Sequence, residues 1–278
     1  MKPLALFIDL DGTLLSSKKT ISKFDYMAMR EYMKYGGKIF IATGRSPVAT
    51  ANIIGRLNLS NGYIAYNGAY IYLGENQYKD FPLSRNEISL ALSIANKYSL
   101  EVILYSKDLV WVKEINSINI SRVSDTIGIQ EFDTSEKDLD CLKVIETERF
   151  QEILTSGCVL KIALLPQWNR LFLDACEELK KFNLNAIFTD RYVEITSVLS
   201  NKYEGATYVL DRYCINITDS MVIGDGENDI QLINRAGIGV AMDNACDNVK
   251  RIAKYVTDTN DKSGVSKAIM KYALKENY

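Results

Sequence analysis

The sequence contains no histidine among its 278 residues. This absence excludes Ser-His-Asp and Cys-His catalysis, metal sites built on imidazole, and histidine general bases. An enzyme of this composition has to work with carboxylates, lysine, tyrosine, hydroxyls, thiols or a metal ion held by oxygen ligands.

The sequence also lacks paired cysteines and long apolar runs. Its five cysteines, at positions 141, 158, 176, 214 and 246, form no Cys-x-x-Cys pair, and an odd number cannot all pair within one chain. We therefore expect reduced thiols and a cytoplasmic location. The apolar stretch at residues 3–8 is too short for a secretory signal. No run approaches the ~20 residues of a membrane span, so we expect no membrane partner.

Charge of one sign does not dominate: 33 Lys and Arg stand against 35 Asp and Glu, a net charge of −2. A nucleic-acid partner is not expected, because such proteins usually carry a basic excess. The hydrophobic share of 47% is normal for a globular chain with a sizeable core. The sequence does not indicate an oligomeric state.

Short apolar runs alternate with helical patterns at both ends of the chain. Residues 4–8, 38–42 and 63–65 are predicted strands, with helices beginning after Ser22 and at Ser46-Pro47. The same rhythm returns after residue 196, with strands at 220–223 and 238–242 and helices at 202–213 and 228–236. This pattern predicts an α/β fold with a Rossmann-like, doubly wound parallel sheet.

Between these parts the rhythm changes to runs of strands. A capping box at Ser84 starts a helix, and strands are predicted at 101–105, 109–113, 158–165, 184–189 and 192–196, with a helix near 168–181. We predict an α+β domain at 83–195, inserted between core parts at 1–82 and 196–278.

Asp9-Leu10-Asp11-Gly12-Thr13 follows a buried strand directly. Sites in open parallel sheets form at the carboxyl ends of strands, and two carboxylates this close repel unless a cation lies between them. A pair of solvated loop acids is the alternative interpretation.

A second acidic cluster, Gly224-Asp225-Gly226-Glu227-Asn228-Asp229, also follows an apolar strand. If the two strands are neighbours, Asp225 joins Asp9 around one hard cation, and Mg²⁺ prefers such oxygen ligands. A Ca²⁺ loop is a rival, although the EF-hand spacing is absent, and a plain acidic turn remains the simplest alternative.

Three further segments give weaker sequence signals for a phosphate site. Thr43-Gly44-Arg45 ends the second strand and offers a hydroxyl and backbone N–H groups to a phosphate, but also suits an ordinary turn. Lys202 would offset carboxylate and phosphate charge, although most lysines at helix starts are solvated. Asn67-Gly68 is mainly a turn signal.

Together, D-x-D-G-T, T-G-R, Lys and G-D-x-x-N-D in this order resemble the haloacid dehalogenase (HAD) superfamily of phosphohydrolases. The long insertion, Asn67-Gly68-Ala69 and the segment at 240–245 are similar to its Cof-type subfamily, which has an inserted α+β cap of the C2 type. The resemblance implies a cap that selects the substrate. One departure is Tyr203, where family members usually have glycine.

The resemblance implies an Mg²⁺-dependent phosphatase that acts on a small phosphate ester, such as a sugar phosphate. Asp9 corresponds to the nucleophile that forms an aspartyl-phosphate, and Asp11 to the general acid and base. The metal would be held by Asp9, the Asp11 carbonyl and Asp225, with Asp229 supporting them. The phosphate would be bound by the following residues: Leu10 through its N–H group, Thr43, Gly44, Asn67, Lys202 and Asn228.

Two other functions stay open at this stage. A sugar phosphomutase would share Asp9 and Asp11 and differ in its cap, whereas a phosphate-sensing module on an inactive fold would most often have lost one of them. Residues Tyr105, Trp111, Lys113 and Arg122 are candidates for the substrate pocket, although such residues also fit a core or a solvated surface.

Overall fold

The computed structural model describes residues 3–74, 77–112, 142–144, 153, 157–166, 169–189 and 191–275. These residues group into two units. The first comprises residues up to 43, 50–78 and from 202 onward, and the second comprises 44–49 and 79–201. The predicted domain boundaries at 82/83 and 195/196 stay a prediction.

The first unit is built on an eight-stranded sheet with the order β14-β13-β12-β1-β2-β3-β4-β5. Pairs from β14 through β3 are parallel, and β4 runs antiparallel to β3. The strands are β1 (Ala5–Ile8), β2 (Lys38–Ala42), β3 (Tyr63–Ala65), β4 (Tyr70–Tyr72), β5 (Tyr78–Asp80), β12 (Ser220–Gly224), β13 (Ile238–Ala241) and β14 (Tyr255–Val256).

The order in which strands are added to this sheet reverses at β1. From β1 the chain proceeds through β2 and β3 on one side, and later fills the other side with β12, β13 and β14. The carboxyl ends of β1 and β12 therefore lie side by side at the switch point, where open α/β sheets form their sites. The predicted α/β fold with a parallel sheet is confirmed, and the hairpin strands β4 and β5 were not predicted.

The second unit contains a six-stranded sheet with the order β10-β11-β9-β6-β7-β8. Its pairs are antiparallel except for β7 and β8, which are parallel. The strands are β6 (Leu100–Tyr105), β7 (Val110–Val112), β8 (Leu142–Val144), β9 (Lys161–Pro166), β10 (Asn185–Phe188) and β11 (Val193–Thr196).

The described helices begin mostly where the sequence signals place them. Ser22, Ser46 and Ser84 each accept a hydrogen bond from a backbone N–H three residues on, as N-caps do. The helices are α1 (Lys23–Lys34), α2 (Pro47–Leu57), α3 (Arg85–Lys97), α4 (Asn169–Leu179), α5 (Lys202–Arg212), α6 (Ile230–Arg235), α7 (Asp247–Ile252) and α8 (Gly264–Ala268), with a π-helical turn at Ile269–Leu274.

The helix predicted from residue 228 begins later, at Ile230, after a 3₁₀ turn at Glu227–Asp229. The reason is local: the Asp229 carboxylate accepts hydrogen bonds from the backbone N–H groups of Asp225 and Gly226 and so holds the preceding loop in its own conformation. Among the described residues, no helix combines the length and apolarity that a bilayer crossing requires.

Helix α1 is joined to α8 through a buried carboxylate. Asp25 is 1% exposed, and its side chain accepts hydrogen bonds from the Ser266 N–H and the Ser22 hydroxyl, each at 2.7 Å. Burial raises the pKa of Asp25, while the two hydrogen bonds oppose that shift. The carboxylate thus satisfies a donor that the N-terminal turn of α8 would otherwise leave unpaired.

We expect Asp25→Ala to lower the free energy of unfolding by about 1–3 kcal/mol, because a buried N–H loses its acceptor. Urea unfolding followed by circular dichroism measures the change. The exposed Asp211→Ala is the matched control and should stay within about 0.5 kcal/mol of the wild type. Equal effects of the two substitutions would contradict this role of Asp25.

Candidate active site

The ends of β1 and β12 bring three carboxylates and one ammonium group together. Asp9 follows β1, Asp225 follows β12, and Asp229 lies four residues further on. Oxygen atoms of the three carboxylates lie within 4.8 Å of one another. Lys202, the first residue of α5, is fully buried and contacts this cluster.

Lys202 is bonded to two of the carboxylates. Its Nζ lies 2.6 Å from Asp9 Oδ1 and 2.7 Å from Asp229 Oδ1. Burial alone would lower the pKa of Lys202, but Asp229 and Asp9 outweigh it and raise this pKa above its usual value. Lys202 therefore stays charged. Its contacts with the cluster are made even though Tyr203 follows it where the family pattern has glycine.

The negative charges of Asp9 and Asp225 are less well compensated by their neighbours than the positive charge of Lys202. Burial raises the pKa of Asp9 well above its usual value; Lys202 opposes this, and Asp229 and Asp225 add to it. Burial likewise raises the pKa of Asp225 to about 6, against a hydrogen bond from the Thr13 hydroxyl at 2.6 Å. Three carboxylates facing one ammonium group leave an excess of negative charge that a cation would offset.

The oxygen-only donor set fits a hard divalent cation rather than a soft one. Asp9 and Asp225 are the better ligand candidates, because both Asp229 oxygens already accept hydrogen bonds, one from Lys202 and the other from the Asp225 and Gly226 N–H groups. Asp229 therefore orients the loop and the lysine. Sequence reasoning had placed it among the metal residues, in a supporting position.

Gly12 is required where the two acidic segments meet. Its φ of +81° lies in the region that favours glycine, and a Cβ atom at this position would collide with the Asp225 carboxylate. The loop after β1 can therefore approach Asp225 closely enough for Thr13 to donate to it. Sequence reasoning assigned no role to Thr13, although it belongs to the D-x-D-G-T motif.

A second, neutral network lies in the first unit. The Asn228 side-chain amide donates to Asn67 Oδ1 at 2.8 Å, and the Asn67 N–H donates to the Thr43 carbonyl at 2.9 Å. Three consecutive residues, 66–68, have positive φ, so the backbone is held in an uncommon conformation here. The three predicted phosphate-binding residues Thr43, Asn67 and Asn228 are thus joined, whereas Gly44 groups with the second unit.

Asp11 and Leu10 differ from the cluster residues. Leu10 lies between the two acids in the sequence and is fully buried. The Asp11 side chain is 41% exposed, and its Oδ1 lies 2.7 Å from Lys19 Nζ. No sequence signal had pointed to Lys19, because the contact depends on the turn at residues 16–20.

The predicted pocket residues of the second unit have mixed outcomes. Trp111 belongs to the core that packs against α3 and α4, which agrees with the alternative of a core position. Tyr105 is fully buried, and Lys161 Nζ lies 4.7 Å from its ring centroid. Lys113 and Arg122 lie outside the described residues.

A model of a protein family described as haloacid dehalogenase-like hydrolase matches residues 6–269. The chain belongs to this family. The resemblance inferred from the motifs is confirmed, including its Cof-type character.

Several relatives of this HAD protein carry phosphatase names. It is 30% identical to YkrA of Bacillus subtilis over 98% of this chain and 96% of YkrA. It is 29% identical to YcsE of the same organism, named 5-amino-6-(5-phospho-D-ribitylamino)uracil phosphatase, over 96% of this chain and 94% of YcsE. The fold matches that of BT4131, a HAD subclass IIB sugar phosphatase, with a TM-score of 0.79 and 26% identity over 97% of this chain and 99% of BT4131.

The prediction that this protein is a phosphatase enzyme is confirmed. The alternative of a phosphate-sensing module on an inactive fold is accordingly left without support.

We expect Lys202→Met to lower the free energy of unfolding by about 3 kcal/mol or more, because it leaves Asp9 and Asp229 buried without their counter-charge. Urea unfolding measures this loss, and the exposed Lys181→Met should change it by no more than about 0.5 kcal/mol. A Lys202→Met protein as stable as the wild type would show that the buried charges do not depend on this lysine.

Proposed function

We propose that this protein is a Mg²⁺-dependent phosphatase that transfers the phosphoryl group of a small phosphate ester to Asp9 and then to water. The observation that carries the proposal is the position of Asp9 at the end of β1, bonded to Lys202 and within 4.8 Å of the oxygens of Asp225 and Asp229. A carboxylate nucleophile needs no general base, which suits a chain without histidine.

The roles of the residues follow from their placement. The bond from Lys202 fixes Asp9 Oδ1 and so orients the attacking carboxylate. Lys202 also faces the negative charge that a bound phosphate would bring. Asp11, more exposed and two residues along, donates a proton to the leaving oxygen in the first step and takes one from water in the second.

The metal ion would be held by Asp9 and Asp225 with the main-chain carbonyl of Asp11. It would supply positive charge that reduces the repulsion between Asp9 and the phosphate. Mg²⁺ is proposed because hard oxygen ligands at a phosphate site are its usual environment. Asp229 keeps Lys202 and the 225–226 backbone in position around it.

The network of Thr43, Asn67 and Asn228 is proposed to bind the phosphate, together with Gly44 and the Leu10 N–H. Thr43 follows β2 directly and Asn67 lies two residues after β3, so both lie at the carboxyl ends of the two strands that come after β1 in the sheet. Their mutual hydrogen bonds hold these groups in place before a ligand arrives.

The substrate class is proposed to be a small phosphorylated metabolite, such as a sugar phosphate. Support comes from BT4131, named a sugar phosphatase, and from YcsE, whose named substrate carries a phosphoribityl chain. Residues 83–195 are proposed as the cap that selects this substrate. Free thiols at Cys176, Cys214 and Cys246 support a cytoplasmic location, and the near-neutral charge gives no reason for a nucleic-acid partner.

We expect the protein to release phosphate from p-nitrophenyl phosphate, and Asp9→Asn to retain less than about one thousandth of that activity, since removal of a nucleophile has effects of this order or larger. The thermal unfolding midpoint shows whether the variant is folded. Asp211→Asn serves as the control and should keep full activity. Full activity of Asp9→Asn would overturn the proposal, and isomerisation of a sugar phosphate without phosphate release would favour a phosphomutase.

We expect EDTA to stop turnover and Mg²⁺ to restore it. Mg²⁺ at about 100 times its dissociation constant should also raise the free energy of unfolding by about 2.7 kcal/mol, and Asp225→Asn should reduce this gain because it removes a ligand. Thermal unfolding with and without Mg²⁺ measures it independently of activity. Turnover that continues in EDTA, or an undiminished gain in Asp225→Asn, would contradict the metal site.

A further inference from the structure

The loop after β1 contains a tight turn at residues 16–20, and Lys19 occupies an unusual position in it. The Ser16 N–H donates to the Thr20 carbonyl at 2.9 Å, and the Lys19 N–H donates to the Ser16 carbonyl at 2.8 Å. Lys19 has a φ of +56°. Tight turns usually have glycine or asparagine at a left-handed position, because most other side chains are strained there.

The 12–20 loop is fastened to the rest of the first unit. The Asn244 side chain donates to the Gly12 carbonyl at 2.7 Å, and Asn260 donates to the Leu15 carbonyl at 2.8 Å. The Ser17 N–H donates to Asp261 Oδ1 at 2.8 Å. The backbone that carries the Lys19 side chain is therefore held from several directions.

The Lys19 side chain returns to the start of the loop and meets Asp11. Nζ lies 2.7 Å from Asp11 Oδ1, and the two side chains are 39% and 41% exposed. An ion pair this exposed contributes little to folding stability. The ion pair does not offset the backbone strain at Lys19. The presence of lysine at this position is therefore better explained by its contact with Asp11 than by a contribution to folding stability.

We infer that Lys19 is a positioning residue: it holds Asp11 Oδ1 so that the protonated carboxyl group faces the leaving oxygen in the orientation needed to donate its proton. This inference rests on the proposed function, in which Asp11 is the acid. With Oδ1 held by Lys19, proton exchange falls to the other oxygen of the same carboxylate. The Lys19 ammonium does not touch the substrate and acts only through Asp11.

Two aryl phosphates of similar shape separate this role from a structural one. The p-nitrophenolate of p-nitrophenyl phosphate leaves readily without a proton, whereas the phenolate of phenyl phosphate benefits from an acid. The value of kcat/KM reports the steps up to formation of the aspartyl-phosphate, so it isolates the proton donation. We expect Lys19→Met to lower kcat/KM for phenyl phosphate about tenfold and for p-nitrophenyl phosphate less than about twofold.

Three variants complete the test. Lys19→Arg keeps the charge and should restore most of the activity on phenyl phosphate. Lys19→Gly relieves the backbone strain, so it should unfold at an equal or higher temperature while losing activity on phenyl phosphate as Lys19→Met does. Lys18→Met removes the neighbouring exposed lysine and should leave both substrates unaffected.

Equal losses on the two substrates, or no loss on phenyl phosphate, would overturn the inference, as would a Lys19→Arg protein no better than Lys19→Met. These outcomes leave the proposed function intact, because the wild type still turns over both substrates through Asp9. A wild type without phosphatase activity would overturn both.

Discussion

The balance of charge at the ends of β1 and β12 is the constraint on which the site depends. Asp9, Asp225 and Asp229 are crowded within 4.8 Å around one buried ammonium group, that of Lys202. Burial disfavours the ionised carboxylates, and Lys202 alone cannot compensate three of them. Binding of a cation together with a phosphate would relieve this charge imbalance, since the cation would offset the carboxylates and the phosphate would face the lysine.

The fold creates this crowding by topology. Because the strand order reverses at β1, β1 and β12 are neighbours, and residues far apart in sequence meet at adjacent strand ends. Gly12 then lets the loop after β1 approach Asp225 without a steric clash. Helix α5 begins at Lys202, so its first side chain reaches the cluster directly. The approach of the two strands, rather than any single residue, is what turns ordinary loop acids into a candidate active site.

Much of this arrangement could be predicted from the sequence, because it follows from local patterns. The strands at 38–42 and 63–65 have the predicted bounds, and the two acidic motifs follow apolar strands as expected. Contacts between distant side chains could not be predicted. The bond from Asn244 to the Gly12 carbonyl spans 232 positions, and the contact of Lys19 with Asp11 depends on a turn that lacks its usual glycine. The parallel pairing of β7 with β8 gave no periodic signal either.

In the proposed mechanism, Asp9 carries the phosphoryl group between substrate and water. The Asp11→Asn variant offers the most direct test, because p-nitrophenolate leaves without an acid while the second step loses its base. The variant would be mixed with p-nitrophenyl phosphate, treated with borohydride to reduce any acyl phosphate to an alcohol, and digested for mass spectrometry. Homoserine is expected at position 9, because reduction of an aspartyl-phosphate converts its acyl carbon to an alcohol. An unreduced Asp9 accompanied by a modified residue elsewhere, or phosphate release without any modified residue, would contradict it.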